Sequence, residues 1–282
     1  MLWNAKNGSV KIENTDMEYV CFGRGKKTFV VFPGLSDGLL TVKGKALLLA
    51  KPFSKFFKKY TVYMFSRKNE MPEGYSIRDM ATDQAKALQT LGIQKASVMG
   101  VSQGGMVAQY LAIDFPELVE KLVITVSAPR VNETIREAVS AWIEMAERGD
   151  HKNLMISTAE KMYSENYLKA YRKTYPFLGL LGKPKTYQRF FINAKAILGF
   201  DAYEELGKIQ CPTYIISGSD DKTVGNDAAH ELKANIPGSK LHIYEGLGHA
   251  AYEEAKDFYD RVYGFLMGEK ENAATPARTA QF

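Results

Sequence analysis

Cysteine and histidine are scarce in this sequence, with two and four copies among its 282 residues. Cys21 and Cys211 are too few to form a disulfide framework, and they show no metal-ligand spacing. No metal site is therefore predicted. A reduced, cytoplasmic protein is the simplest interpretation of this cysteine content.

Long hydrophobic runs are also missing. No apolar stretch approaches the roughly 20 residues of a membrane span, and the first residues lack the apolar core of a signal peptide. The composition is otherwise ordinary, with 45% hydrophobic and 24% charged residues, which excludes disordered, collagen-like and coiled-coil proteins. The length suits one large domain, with or without a smaller insertion.

The excess of one charge is small, because 37 basic and 32 acidic residues give a net charge of +5. The densest basic cluster (Lys51, Lys55, Lys58 and Lys59) is interleaved with phenylalanines. This pattern is typical of the solvated face of an amphipathic helix rather than of a nucleic-acid patch. We therefore expect no nucleic-acid partner.

Short, β-rich apolar runs alternate with longer helical patterns. The runs lack a polar face, which is typical of parallel strands covered by helices on both sides. Intervals such as residues 77–91 and 104–114 are long enough for crossover helices. We therefore predict an α/β fold with a mostly parallel central sheet and helices on both faces. The predicted strands are residues 28–32, 60–65, 96–100, 122–126, 213–216 and 240–244.

One interval is longer than a single crossover requires. About eighty residues of helical character separate the strand that ends near Ser127 from the strand that opens at Pro212, which predicts an inserted helical subdomain. Its helical patterns cover residues 133–148, 153–171 and 187–198. The last dozen residues have no periodicity and are predicted to form a mobile tail.

The sharpest chemical signal is the G-x-S-x-G pattern over residues 100–104. It lies between a predicted strand and a predicted helix, so Ser102 would occupy a tight turn with its hydroxyl lifted off the sheet. The amino terminus of the helix would face any negative charge formed there. A Walker phosphate loop is excluded because no lysine follows in the required place. The pattern therefore favours Ser102 as a nucleophile over a plain turn residue.

A serine hydroxyl needs a neighbouring base to become a good nucleophile. Of the four histidines, only His249 follows a strand and a glycine-rich turn, at the edge where α/β sheets bind ligands. We interpret His151, His230 and His242, which lie within helical or strand patterns, as surface or core-edge residues. His249 is therefore the candidate base.

The base in turn needs a carboxylate to orient it. Asp220 and Asp221 both follow the predicted strand over residues 213–216, and one of the pair is expected to be only a turn residue. No acid follows the preceding strand, where the sequence reads Ser-Ala-Pro. The resulting chain order is serine, aspartate, histidine.

On these motifs the chain resembles the α/β-hydrolase superfamily, in the branch with a helical cap inserted after the sixth strand. The resemblance covers roughly residues 15–268 of the chain. It implies a catalytic domain over residues 1–129 and 206–268, a helical cap over residues 130–205 and a mobile tail over residues 269–282. In the family the acid stands three residues after the glycine that ends its strand, which, counted from Gly218, selects Asp221.

The resemblance also implies an oxyanion hole built from the backbone amides of Leu35 and Gln103. The family's oxyanion loop begins with histidine and glycine, whereas here Pro33 precedes Gly34. Because the donor is a backbone N–H, the replacement of histidine by proline does not remove it. The loop after the fourth strand also departs from the family pattern, because it reads Arg-Lys-Asn-Glu over residues 67–70, which implies a differently shaped entrance. Asp37 is expected to face away from the hole as a turn residue.

The predicted cap is rich in aromatic residues. Tyr163, Tyr167, Tyr171 and Tyr175 recur every four residues and would share one face of a helix. Many such rings form the core of a subdomain, but a cap must also cover the nucleophile. We therefore predict an apolar substrate pocket, with Tyr163, Tyr167, Tyr171 and Phe191 as candidate lining residues.

Together these features predict a serine hydrolase that cleaves an uncharged, apolar carboxylic ester or related acyl compound through an acyl-enzyme, with no metal or organic cofactor. The same triad serves lactonases, amidases, carbon–carbon bond hydrolases, perhydrolases and acyltransferases, so these alternatives stay open. A ligand-binding receptor on the hydrolase fold is a further alternative. The expected partner is a small-molecule acyl substrate, and a homodimer is compatible with the sequence.

Overall fold

The computed structural model describes residues 2–180 and 182–269. Eight strands form one sheet at its centre. They are β1 (Lys6–Ile12), β2 (Thr15–Gly23), β3 (Lys27–Phe32), β4 (Tyr60–Lys68), β5 (Ala96–Val101), β6 (Val119–Thr125), β7 (Thr213–Gly218) and β8 (Lys240–Tyr244). Their spatial order is β1-β2-β4-β3-β5-β6-β7-β8.

The sheet is parallel from β4 to β8, and an antiparallel pair extends it at one edge. There β1 pairs with β2, and β2 pairs with β4 in antiparallel register, whereas the remaining neighbours are parallel. The prediction of a mostly parallel α/β sheet is confirmed. One boundary differs, because β4 continues to Lys68. Arg67 therefore belongs to the strand rather than to the loop after it.

Helices cover both faces of the sheet, so that β5 and β7 are buried along their whole length. One buried apolar cluster includes Met80, Leu88 and Leu111, and the other includes Phe56 and Phe258. No helix among the described residues is long and apolar enough to cross a membrane. The helices are α1 (Ala46–Ala50), α2 (Ile77–Thr90), α3 (Gln103–Asp114), α4 (Glu133–Glu147), α5 (His151–Met162), α6 (Glu165–Tyr171), α7 (Tyr175–Leu178), α8 (Gln188–Leu198), α9 (Ala228–Asn235), α10 (Ala251–Glu254) and α11 (Phe258–Met267).

Helices α4 to α8 lie between β6 and β7, where the sequence predicts the inserted subdomain. The prediction of one continuous helix over residues 153–171 is wrong, because α5 ends at Met162 and α6 begins at Glu165. Tertiary contacts cause the break: Ser164 N and Oγ donate to the Glu254 carboxylate at 2.9 and 2.5 Å, and Ala250 N donates to Met162 O at 2.8 Å. Residues 270–282 of the predicted tail lie outside the described residues.

Candidate active site

Ser102 occupies a sharp turn between β5 and α3. Its φ of 54° and ψ of −120° are values that residues other than glycine rarely adopt. Hydrogen bonds hold this conformation from both sides. Ser102 N donates to Thr125 O of β6 at 2.9 Å, and Ser127 Oγ donates to Ser102 O at 2.8 Å.

The two glycines of the motif allow the strand, the helix and the loop after β3 to approach one another. A Cβ on Gly100 would lie 2.2 Å from Gly104 O, and a Cβ on Gly104 would lie 2.0 Å from Phe32 O. Both contacts are with backbone, which cannot rotate away as a side chain can. The G-x-S-x-G spacing is therefore required by the packing of this turn.

The Gly104→Ala variant is expected to lose about 3 kcal/mol or more of unfolding free energy, because overpacking against backbone forces the helix off the sheet. Urea denaturation of the purified variant measures this loss. Gly207→Ala is the matched control, since its Cβ would meet nothing within 4 Å, and its urea midpoint should stay close to that of the wild-type protein. Equal midpoints for both variants would contradict the close packing.

The loop after β3 runs beside Ser102. A Cβ on Gly34 would lie 3.3 Å from Ser102 Cβ and 3.8 Å from Ser102 Oγ. Leu35 and Gln103 are each the first residue of a helix, Leu35 in a 3-10 turn over Leu35–Gly38 and Gln103 in α3. The amide of a first helical residue has no intrahelical acceptor and is available to another partner.

His249 and Asp221 meet on loops that follow β8 and β7. His249 Nδ1 lies 2.8 Å from Asp221 Oδ2, and both residues are buried. The other carboxylate oxygen, Oδ1, accepts from Thr223 N at 2.8 Å and from Val224 N at 3.0 Å. The neighbouring Asp220 is exposed and instead accepts from Ser219 Oγ at 2.9 Å. The aspartate that the family spacing selects is thus the one that contacts the imidazole.

The loop that carries His249 folds back over the end of β7. Asp220 N donates to Leu247 O at 2.9 Å, and a Cβ on Gly218 would lie 2.1 Å from the same oxygen. Ser102, Asp221 and His249 therefore share the carboxyl edge of the sheet. The hydrogen bonds found among the described residues do not include one between Ser102 Oγ and His249 Nε2.

Asp37 is not the simple turn residue that the sequence predicts. Its side chain is buried, and its Oδ2 accepts from Arg67 N at 2.9 Å and from Arg189 Nη2 at 2.8 Å. Arg189, on α8, also donates from Nε to Asp37 O at 3.0 Å. Asp37 does lie in the 3-10 turn over Leu35–Gly38, but β4 and α8 also bring the Arg67 backbone N and the Arg189 guanidinium to its carboxylate, which the local sequence does not reveal.

The tyrosines predicted to line a pocket form a cluster of their own. The rings of Tyr163 and Tyr167 stack with centroids 4.3 Å apart, and Tyr171 lies 5.6 Å from each. Tyr163 Oη donates to Glu253 Oε2 at 2.6 Å. Burial and the Glu253 charge raise the pKa of Tyr163 above its usual value, so this phenol stays protonated. Their place in a substrate pocket stays a prediction.

The last pocket candidate, Phe191, and the histidines that were not assigned a catalytic role lie on other elements. Phe191, on α8, packs 6.2 Å from the rings of Tyr187 and Phe190. His151 is buried at the start of α5, with Nδ1 2.9 Å from Tyr187 Oη, and His230 is exposed on α9. Across residues 2–180 and 182–269, no group of three or more histidine, cysteine, aspartate or glutamate side chains could hold a metal ion.

Comparison with known proteins finds hydrolases in sequence and in fold. A Pseudomonas hydrolase of 2-hydroxy-6-oxononadienedioate and 2-hydroxy-6-oxononatrienedioate is 27% identical over 92% of each chain. Among solved structures, the alpha/beta hydrolase MGS-M2 from a deep-sea metagenome superposes with a TM-score of 0.82 at 18% identity, covering 95% of this chain and 100% of that one. The enol-lactonase of Burkholderia xenovorans superposes with a TM-score of 0.75 at 20% identity, covering 92% and 100%.

A family model adds the decisive match. Residues 63–256, more than half of the chain, match the model of the alpha/beta hydrolase fold. This stretch includes the strained serine turn, the paired aspartate and histidine, and the helices between β6 and β7. The chain therefore belongs to the alpha/beta hydrolase fold family.

Proposed function

We propose that this protein is a serine hydrolase that cleaves an uncharged, apolar carboxylic ester or related acyl compound through an acyl-enzyme on Ser102. The observation that carries the proposal is the bond between His249 Nδ1 and Asp221 Oδ2, at the sheet edge where Ser102 occupies its strained turn. Nucleophile, base and orienting acid are the three groups that acyl transfer requires.

The proposed proton transfer follows from the direction of that hydrogen bond. An ionised carboxylate can only accept, so its partner Nδ1 carries the proton and Nε2 keeps its lone pair. Nε2 is then the base that takes the Ser102 proton as Oγ attacks the acyl carbon. A serine–histidine bond is often long in a free enzyme and tightens when substrate binds. This role is therefore compatible with the lack of a Ser102–His249 hydrogen bond among the described residues.

The attack produces an oxyanion on the former carbonyl oxygen. The amides of Leu35 and Gln103 are the proposed donors, because both begin helices beside Ser102 and lack intrahelical acceptors. His249 then returns its proton to the departing alcohol. A water molecule, activated by the same imidazole, releases the acyl group and restores the Ser102 hydroxyl.

The charges beside the site favour an uncharged substrate. Arg189 is the cation of α8 nearest the proposed oxyanion loop, and each of its side-chain nitrogens donates to a protein oxygen: Nε to Asp37, Nη1 to Lys68, and Nη2 to Asp37 and Arg67. A substrate carboxylate would have to displace one of these partners. An ester with an apolar acyl group binds without displacing any partner of Arg189.

Hydrolysis of a dienedioate is a second candidate, because the Pseudomonas relative named for that activity aligns over 92% of both chains. Turnover of 2-hydroxy-6-oxononadienedioate should be compared with that of p-nitrophenyl esters of increasing acyl length. Faster turnover of the longer esters supports the ester proposal. Faster turnover of the dienedioate favours the second candidate, and its two carboxylates would then need cationic partners other than Arg189.

The nucleophile is tested by labelling the wild-type protein with a fluorophosphonate, in which the serine oxygen attacks phosphorus and fluoride leaves. We expect stoichiometric labelling of wild type and none of Ser102→Ala, with intact-mass spectrometry as the readout. Ser54→Ala, at an exposed serine of the 3-10 helix Lys51–Phe56, is the matched control and should label like wild type. Retained labelling of Ser102→Ala would exclude Ser102 as the nucleophile.

A further inference from the structure

Arg67 has a buried guanidinium between the two segments of the proposed oxyanion hole. Only 1% of the residue is exposed. Its Nη1 donates to Pro33 O at 2.7 Å, and its Nη2 donates to Gln103 Oε1 at 3.0 Å. One planar group on β4 therefore joins the loop after β3 to the first residue of α3.

Both acceptors lie next to a proposed oxyanion amide. Pro33 O belongs to the peptide that leads into Gly34 and Leu35, so a bond to this oxygen fixes the plane of that peptide. Gln103 supplies the other amide from its own backbone. Its side chain is held at both ends, because Nε2 donates to Asn193 O of α8 at 2.8 Å while Oε1 accepts from Arg67.

The Arg67 guanidinium is held by its hydrogen bonds and stays charged at neutral pH in spite of its burial. Burial lowers the pKa of Arg67 to about 10, with Asp37 opposing the effect, so the side chain is protonated at neutral pH. The Arg189 guanidinium pairs with the Asp37 carboxylate, which also accepts from the backbone N of Arg67. The acceptors of the Arg67 guanidinium, Pro33 O and Gln103 Oε1, are neutral, so its positive charge favours an oxyanion that forms nearby.

We propose that Arg67 is a positioning residue that keeps the amides of Leu35 and Gln103 aligned on the oxyanion. This role rests on the proposed function. A guanidinium offers directed donors in a planar fork, so one side chain can hold two acceptors at a fixed separation, whereas a lysine ammonium is a compact point charge on a flexible stem. Arg67→Lys therefore keeps the positive charge and removes the bridge.

The Arg67→Lys variant tests the role with a p-nitrophenyl ester as substrate and a trifluoromethyl ketone as the oxyanion-forming inhibitor. We expect kcat to fall about 10- to 100-fold with KM within about threefold, because misaligned donors weaken transition-state binding more than substrate binding. The Ki of the ketone should rise by the same factor as kcat/KM falls. A merely structural role would not link these two changes.

Arg78→Lys is the matched control. Arg78 also forms a forked pair, from Nε and Nη2 to the Asp114 carboxylate, and bonds Glu205, but its partners lie away from Ser102. This variant should lose some stability and keep the wild-type kcat and ketone Ki. If Arg67→Lys does not fold, Gln103→Met decides the question, since it keeps the backbone amide and removes the acceptor of Nη2. It should show the same linked losses in kcat and ketone binding.

Wild-type kcat and ketone Ki in Arg67→Lys, or in Gln103→Met if that variant is the one measured, would overturn the positioning role. Fluorophosphonate labelling keeps this outcome distinct from a failure of the proposed function. If wild type is labelled at Ser102 and the variant keeps full activity, only the role of Arg67 is lost. If wild type is not labelled and does not turn over the ester, the serine mechanism itself fails, and the role of Arg67 fails with it.

Discussion

The Ser102→Ala variant is expected to hydrolyse a p-nitrophenyl ester with a kcat on the order of 10⁶-fold below that of wild type. The variant keeps the proposed oxyanion amides, His249 and Asp221, but it has no side-chain oxygen on which an acyl-enzyme can form. Any remaining rate would come from water attacking substrate bound in the same site. Steady-state kinetics at high enzyme concentration, after removal of contaminating esterases, measures this residual activity.

Two controls make the result specific to Ser102. The thermal unfolding midpoint of Ser102→Ala should match that of wild type, because alanine can occupy the same turn and the main bonds that hold it are made by backbone atoms of residue 102. Ser54→Ala should keep the wild-type kcat. A kcat of Ser102→Ala within about tenfold of wild type would be inconsistent with covalent catalysis at this serine.

Sequence patterns predict the parallel part of the sheet well because its inner strands, such as β5 and β7, are buried on both faces and have largely apolar sequences. The β1–β2 pair is not predicted because neither strand has a continuous apolar sequence. β1 exposes most of its residues, and acidic residues interrupt β2 at Asp16 and Glu18. Such strands resemble loops until their partners are known.

The break between α5 and α6 shows a different limit of the sequence. The spacing of Tyr163, Tyr167 and Tyr171 fits one helix, and the three rings do cluster. Ser164 nevertheless leaves the helix: its hydroxyl caps α6 by accepting from Tyr167 N at 3.3 Å, and its backbone and hydroxyl also bind Glu254, which is 90 residues away along the chain. Local periodicity contains no information on such a partner.

The candidate site also contains some residues that the sequence reveals and others that it does not. Ser102 and His249 are recognisable because each follows a predicted strand of a parallel sheet, whose carboxyl ends meet at one edge. Strand position alone leaves Asp220 and Asp221 open, and the family resemblance selects Asp221. The network of Asp37, Arg67 and Arg189 is not recognisable from the sequence, since its bonded partners lie 30 and 152 residues apart along the chain. An aspartate beside glycine looks like a turn residue until those partners are known.

The Asp221→Asn variant is expected to lower kcat about 10⁴-fold, because it forces the wrong imidazole tautomer. The side-chain oxygen of the new asparagine would stay at the position of Oδ1, where it accepts from Thr223 N and Val224 N. Its NH₂ group would then face His249 Nδ1. Two donors cannot hydrogen-bond to each other, so the imidazole proton moves from Nδ1 to Nε2. The Nε2 lone pair that should accept the Ser102 proton is then lost.

Asp220→Asn is the matched control for this prediction. Asp220 is adjacent in sequence, but its carboxylate is exposed and accepts from Ser219 Oγ, a bond that an asparagine oxygen can also accept. Its kcat should stay within about twofold of wild type, the small effect expected of a surface substitution. Steady-state kinetics of both variants with one p-nitrophenyl ester separates the roles of the two aspartates. Equal losses would mean that charge near the loop matters rather than the orientation of His249, and a loss in Asp220→Asn alone would reassign the orienting acid.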